Sequence, residues 1–501
     1  MHYRKDKVRL ALRHFLIGKA ATAVSALVLL LLLARTLPQP VYAAYVSLQA
    51  LIIVVGAVTS FGINQALTRY APELVSAGQY RPLFHRIFSS LGSRSLITAA
   101  GLLLSALILP VWTDTLQIEL TRTELAIYLL VGWARLMQQF VTRVLESLLW
   151  QRLTQTAVAI GSITKLVMIA ALTFRDVLNL ANVFAVELFA ELLTLAILLV
   201  GLFRRWRLEP HRDNGNLSWW RENRKRIGHY SRWAYLNSLT ATAYGSAPNR
   251  LIAARFLTPE TTAIFGFADA LALLAKRFMP ARLIHSLIKP VLIARHVDRS
   301  DFADLNRKVN LNFRLNSVLL CGPIAVLVVA GQALLNALTD HKYGVASPIL
   351  AAMLAVLLLD GLRAQVELVS EVVEKPKRAL AGNLTMSLSL LLALSMVSHW
   401  GIWGILSAAA LTEIAAILVM IKGLRRDGFS FVGDRMMLNA PIAAAVSAIV
   451  GSTMVAFVAP STATIIGAAV VTCVTYLAAI FVRPAFSREE LQLLNSLRKH
   501  S

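Results

Sequence analysis

Charge is scarce in this chain, and cysteine scarcer. Asp, Glu, Lys and Arg make up 15% of its 501 residues, against roughly a quarter in a soluble domain. Two cysteines occur, Cys321 and Cys473. Both lie inside apolar runs, so no disulfide framework or cysteine metal site is available, and both read as small buried hydrophobes. Signatures of chemistry are missing too. There is no Gly-x-Ser-x-Gly, no His-Glu-x-x-His and no P-loop, which removes the common hydrolase, zinc-protease and NTP-driven readings. No catalytic residue, metal ligand or cofactor is assigned. Acids are few beside bases, 27 against 50, for a net charge of +23.

Apolar length is what the chain has. It is 57% hydrophobic with mean hydropathy +0.63, and runs of about 20 apolar residues read as transmembrane helices. The expectation is an all-α polytopic membrane protein with fourteen spans. Their limits are near 15–34, 41–68, 94–112, 124–149, 156–174, 182–203, 233–256, 261–286, 313–337, 346–370, 379–398, 402–421, 438–459 and 463–482. The first run follows a basic N-terminus, and no small-residue cleavage site interrupts Gly18–Ala34, so it reads as a retained span.

Placement of the bases sets the orientation. With the N-terminus inside, the odd-to-even links are short and the even-to-odd links long and basic. About 35 of the 50 Lys and Arg then fall in cytoplasmic segments, which puts both termini in the cytoplasm. That placement absorbs the net charge and excludes nucleic acid as its explanation. The external links are too short for the extracytoplasmic domain of a polytopic polymerase.

The stretch Ala34–Leu51 returns at Ala254–Leu271. Ala34, Arg35, Leu37, Ala43, Ala50 and Leu51 recur as Ala254, Arg255, Leu257, Ala263, Ala270 and Leu271. The copies lie six spans apart and enter the membrane in the same direction, so the repeat is parallel, about an axis along the membrane normal. The implied layout is two six-helix lobes, 1–203 and 233–437, around a central cavity. A basic linker, 204–232, joins them; spans 438–482 and a tail, 483–501, follow. Arg35 and Arg255 fall at the outer face as anchors or gate contacts.

The linker interleaves Arg204, Arg205, Arg207, Arg212, Arg221, Arg224, Lys225, Arg226 and Arg232 with Trp206, Trp219, Trp220 and Trp233. With Ser218 as a cap, it suggests an interfacial helix whose tryptophans sit at headgroup depth. It serves as a positive-inside link or recruits anionic lipid. In the tail, Ser487 and Glu490 fit a capping box, with Leu491, Leu494 and Leu497 at the membrane surface.

Ionisable groups at bilayer depth are costly and normally face a cavity or a partner. In the fourth span Arg135, Gln138, Gln139, Thr142, Arg143 and Glu146 share one face, with Leu136, Met137, Phe140, Val141 and Val144 opposite. Other cations are Lys19, Lys165, Arg250, Lys276, Arg277 and Arg363. The acids are Glu187, Glu191, Asp269, Asp360, Glu367 and Glu413. Asp360, Arg363 and Glu367 are spaced for a local ion network, and Lys276 and Arg277 for snorkelling to the inner interface. Arg135, Lys165 and Lys19 have no acid three or four residues away, so they read as unpaired cations lining a path. A cavity rich in such cations suits an anionic amphiphile, because Arg and Lys hold phosphate oxygens through charge-assisted hydrogen bonds. The substrate-binding candidates are thus Lys19, Arg135, Arg143, Lys165, Arg250, Lys276, Arg277 and Arg363.

Several stretches resemble the multidrug/oligosaccharidyl-lipid/polysaccharide (MOP) superfamily, and within it the Wzx-type polysaccharide flippases. They are the Ala-Arg-x-Leu turn with its nearby proline, Phe61-Gly62-Ile63 through Arg69-Tyr70-Ala71-Pro72-Glu73-Leu74, Asn249-Arg250-Leu251-Ile252, and His341-Lys342-Tyr343-Gly344 with Ser347-Pro348. Asn249 stands where the family often has an acid. The resemblance implies alternating access and flipping of an undecaprenyl-pyrophosphate-linked oligosaccharide across the bacterial inner membrane, for exopolysaccharide, capsule or O-antigen. It implies coupling to H+ or Na+, for which Asp269, Glu187, Glu191 and Glu413 are the candidate acids. Implied partners are the lipid-linked substrate, membrane lipids and polysaccharide polymerase or export machinery. Lipid II flippases share the fourteen-span layout, but here Ala270 replaces the Arg of their Ala-Asp-Arg motif. Drug or solute export is the third reading.

Overall fold

Apolar runs fold as helices because a helix satisfies its own backbone N–H and C=O groups where water is absent. The computed structural model describes residues 5–116, 120–208, 219–277, 279, 302–457, 462–487 and 490. Among these residues the regular structure is entirely helical. Among the described residues eleven helices are long and apolar enough to cross a membrane, and Ala20–Thr36 is a shorter apolar one. The chain divides into two compact units, Met1–Arg255 and Phe256–Ser501.

The first unit holds α1 (Lys5–Thr36), α2 (Gln39–Val58), α3 (Ile63–Ser76), α4 (Tyr80–Leu116) and α5 (Arg122–Ser147). It continues with α6 (Gln151–Phe174), α7 (Leu180–Leu208), α8 (Trp219–Glu222), α9 (Arg224–Ala243) and most of α10 (Ser246–Phe256). Proline starts α2, where its missing N–H costs nothing. A capping box starts α5: the Glu124 N–H donates to Thr121 Oγ1 at 3.2 Å, and the Thr121 N–H to Glu124 Oε2 at 2.9 Å. One core joins α3, α4, α5 and α7 through Leu67, Phe84, Phe140, Val144 and Leu198. Another joins α2, α5 and α7 through Leu48, Ile52, Tyr128 and Phe184, with Ala254 of α10. Hydroxyls on these helices turn back on their own backbone, as Ser47 does to Ala43 O at 2.8 Å.

Two expected spans are interrupted. The second, 41–68, breaks at Thr59–Gly62, and α3 is a separate helix. Phe61 and Gly62 take φ of 43° and 74°, a left-handed pair that suits glycine. A Cβ on Gly62 would lie 2.6 Å from the Ser231 carbonyl oxygen of α9. Arg94 of α4 holds the end of α2, donating to Gly56 O at 2.9 Å and Thr59 Oγ1 at 3.2 Å. A guanidinium there meets the negative end of the helix dipole. The seventh span, 233–256, breaks at Tyr244–Gly245 into α9 and α10 and packs in the first unit, where the Tyr235 hydroxyl donates to Val58 O at 2.6 Å.

In the linker, Ser218, Asn214 and Gly215 lie outside the described residues. Trp219 and Trp220 are half-buried. Trp219 meets Tyr70 at 6.2 Å between ring centroids, and Trp220 Nε1 donates to Pro82 O at 3.0 Å. Trp233 is exposed.

The second unit holds α11 (Pro259–Arg277), α12 (Phe302–Thr339), α13 (Ala346–Val372), α14 (Pro376–Trp400) and α15 (Ile402–Arg426). A short 3-10 turn (Arg435–Leu438), α16 (Asn439–Phe457) and α17 (Thr462–Val482) follow. Residues 280–286 of the expected eighth span lie outside the described residues. Leu305, Val309, Val366, Val369 and Met420 form one core, and Cys321 packs with Ala440, Ala443 and Tyr476 in another. Cys473 is exposed on α17, not buried as expected, on a helix whose Ile466, Val470, Val474 and Leu477 are exposed too. The Ser487–Glu490 capping box is present, with the Ser487 N–H donating to Glu490 Oε2 at 2.8 Å. Leu491, Leu494 and Leu497 lie outside the described residues.

Candidate functional site

The expected polar face of α5 is present. Leu136, Met137, Phe140, Val141 and Val144 are buried, whereas Arg135, Gln139, Thr142 and Glu146 are half-buried and Arg143 exposed. Gln138 is buried and donates to Thr142 Oγ1 at 3.1 Å.

Arg135 and Lys165 are not unpaired. Arg135 donates to Glu187 Oε2 at 3.0 Å and to Glu191 Oε1 at 3.1 Å. The Lys165 ammonium lies 3.2 Å from Glu187 Oε1 and 3.5 Å from Glu191 Oε1. The correction has a plain cause. Inspection of i±3 and i±4 sees partners on one helix, but these acids stand on α7, across from α5 and α6. Two cations and two acids give a formally neutral cluster.

Glu187 is its centre, 2% exposed. Oε1 accepts from the Tyr45 hydroxyl at 2.9 Å and from Lys165 Nζ; Oε2 accepts from Gln49 Nε2 at 2.7 Å and from Arg135. A carboxylate has about four acceptor positions, and all are used. The donors come from α2, α5 and α6, so one side chain ties four helices together. Tyr45 and Gln49 escape a search for charge. Their signal is i, i+4 spacing on one face of α2, inside the repeated stretch.

The second unit has its own cluster. Arg363 of α13 donates to Asp360 Oδ1 at 2.9 Å, Glu367 Oε2 at 3.3 Å and, across to α15, Glu413 Oε2 at 2.9 Å. The local network expected from spacing is therefore present, with Glu413 added. Lys276 of α11 pairs with Asp360 at 3.1 Å, a defined partner in place of snorkelling. Asn383 of α14 donates to Glu367 Oε1 at 3.3 Å. Among the described residues this group carries one acid in excess.

The remaining candidates are dispersed. Arg277 is exposed at the end of α11, Asp269 is half-buried on the same helix, and Arg250 is buried on α10. Lys19 stands on α1, and its side chain lies outside the described residues. Two buried arginines carry no sequence signal: Arg94, 2% exposed, and Arg314 of α12. Arg314 donates to Ala485 O at 2.9 Å and to Glu490 at 2.5 Å. Among the described residues no group of three His, Cys, Asp or Glu is disposed to hold a metal ion.

Many apolar spans with charged clusters tied across helices are the arrangement of a polytopic membrane protein, and solved structures share its fold. The fold is similar to the lipid II flippase MurJ in an inward closed conformation, with TM-score 0.68 at 12% identity, covering 93% of this chain and 98% of that one. It is similar to an inward-facing multidrug resistance MATE family transporter of the MOP superfamily, with TM-score 0.60 at 14% identity, covering 81% and 95%. A MOP superfamily transporter from Pyrococcus furiosus matches with TM-score 0.52 at 12% identity, covering 84% and 95%. No curated protein matches the chain. The profile of the family described as polysaccharide biosynthesis protein matches residues 14–281. The chain belongs to that family.

Proposed function

We propose that this protein flips an undecaprenyl-pyrophosphate-linked oligosaccharide across the bacterial inner membrane by alternating access, for exopolysaccharide, capsule or O-antigen assembly. Family membership over residues 14–281 carries this reading. In it the chain has fourteen spans, with both termini cytoplasmic. Two six-helix lobes surround a cavity, and 438–482 form two further helices. The lobe limits 1–203 and 233–437, with linker 204–232 and tail 483–501, follow the sequence repeat rather than the packing, since residues 233–255 belong to the first compact unit. No catalytic step is involved. Surface polysaccharide polymerase or export machinery takes the product.

The ion clusters suggest how a polyanion is handled without leaving bare cations in the membrane. At rest Arg135 and Lys165 are satisfied by Glu187 and Glu191. An arriving pyrophosphate takes over their donors, and the acids take them back on release. Arg363 and Lys276 play the same part in the second unit. Lys19, Arg143, Arg250 and Arg277 are further substrate contacts. Coupling to H+ or Na+ falls to the acids Glu187, Glu191, Asp269 and Glu413.

Deleting the gene tests the reading. Undecaprenyl-linked oligosaccharide should accumulate on the inner face, and surface polysaccharide should disappear; normal display overturns the proposal. A second reading, lipid II transport, draws on the fold likeness to the MurJ flippase. Rescue of a strain depleted of its lipid II flippase favours it, as does unchanged polysaccharide. Drug or solute export is favoured instead if deletion changes only solute tolerance.

A further inference from the structure

A pocket of about 460 Å³ opens in the first unit, where α3, α4, α8 and α9 meet. Its lining is basic in part: His85 and Arg86 of α4, Arg221 of α8 and Arg224 of α9. Phe61, Ile63, Ala66 and Ile227 give it an apolar lining as well. No acid lines it. Among the described residues, no carboxylate forms an ion pair with Arg86, Arg221 or Arg224. The nearby Glu73 is already engaged, accepting twice from Arg226 at 3.0 Å.

The walls are held in place. Trp220 is fixed by its hydrogen bond to Pro82 O and by Trp219 at 4.9 Å between centroids. Arg86 lies over the Trp220 ring, 5.2 Å from its centroid. The floor is the left-handed Phe61–Gly62 turn against Ser231. There α3 begins without a capping side chain, adding a positive helix end. Two of the linker's nine basic residues, Arg221 and Arg224, thus line a concave surface together with Arg86 of α4, which a solvated positive-inside link has no need of.

We propose that this pocket binds a phosphate group, with Arg86, Arg221 and Arg224 as its donors and the apolar lining taking the chain attached to it. It is separate from the ion clusters in the membrane, and the proposal stands whether or not the transport reading does. Two sources share this chemistry: the headgroup of an anionic phospholipid and free phosphate or pyrophosphate.

The full chain in phosphatidylcholine nanodiscs separates them. One arm adds phosphatidylglycerol to the disc and reads retained lipid by native mass spectrometry. The other titrates inorganic phosphate and pyrophosphate and reads the thermal unfolding midpoint. Each arm is repeated with Arg221→Gln/Arg224→Gln, and with Arg425→Gln/Arg426→Gln, which removes the same charge at the exposed end of α15. Both changes are at exposed positions, and the unliganded midpoint checks folding. Phosphatidylglycerol retention weakened about tenfold or more in the first variant alone, as for losing two charge-assisted donors, assigns the pocket to lipid. Phosphate or pyrophosphate stabilisation lost in that variant alone assigns it to the free anion. No binding in either arm, or equal loss in both variants, overturns the proposal.

Discussion

Arg363 on α13 and Glu413 on α15, 50 residues apart, meet at 2.9 Å, both almost fully buried. Removing the guanidinium would leave Asp360, Glu367 and Glu413 facing one another, and breaking a buried pair from one side costs about 3–5 kcal/mol. Arg363→Ala should therefore lower protein level and thermal midpoint. Adding Glu413→Gln should restore part of the loss. A double variant no better than the single would remove the coupling.

Arg135→Ala has a milder structural consequence. Glu187 keeps Tyr45, Gln49 and Lys165. Flipping, measured on labelled lipid-linked sugar in proteoliposomes, should fall about tenfold or more, the effect of one or two lost charge-assisted hydrogen bonds. Membrane abundance should stay the same. A parallel loss of abundance would make Arg135 a structural residue only.

Arg314 anchors the tail. It is 1% exposed on its side chain, within 3.5 Å of Asp434, and bonded to Glu490 and Ala485 O. Arg314→Ala should raise hydrogen exchange and protease cutting around residues 483–487 relative to wild type. Unchanged cutting would show that the tail is held by other means.

Asp427, just past α15, is held below its usual carboxylate range by hydrogen bonds from Arg378, both at 2.9 Å, and then by the Arg378 charge. A depressed carboxylate contributes stability above its unfolded value, about 3.9, and loses it as pH falls through the folded one. The midpoint difference between wild type and Asp427→Asn should be present at pH 6 and shrink below about pH 4. A constant difference would mean the Asn acts through packing.

Gly62→Ala joins a left-handed φ with a clash against Ser231 O. A loss of about 1–3 kcal/mol is expected from such strain, read as a lower midpoint. Gly78→Ala, also left-handed but with open space around it, should cost less.

The helices are legible in the sequence because apolar length and turn residues are local properties. The polar face of α5 and the Asp360–Arg363–Glu367 network are legible for the same reason: both lie within a single helix. Pairing between helices is not. Arg135 finds Glu187 52 residues away and Arg314 finds Glu490 176 residues away, distances that no spacing rule spans. The breaks at Gly62 and Gly245 are not legible for a different reason: hydropathy averaged over a window does not register a change of direction.

The neutrality of the Arg135–Lys165–Glu187–Glu191 cluster has an electrical consequence. A unit charge moved through the full membrane potential exchanges about 2.3 kcal/mol per 100 mV. A group that sums to zero exchanges none, however far it travels.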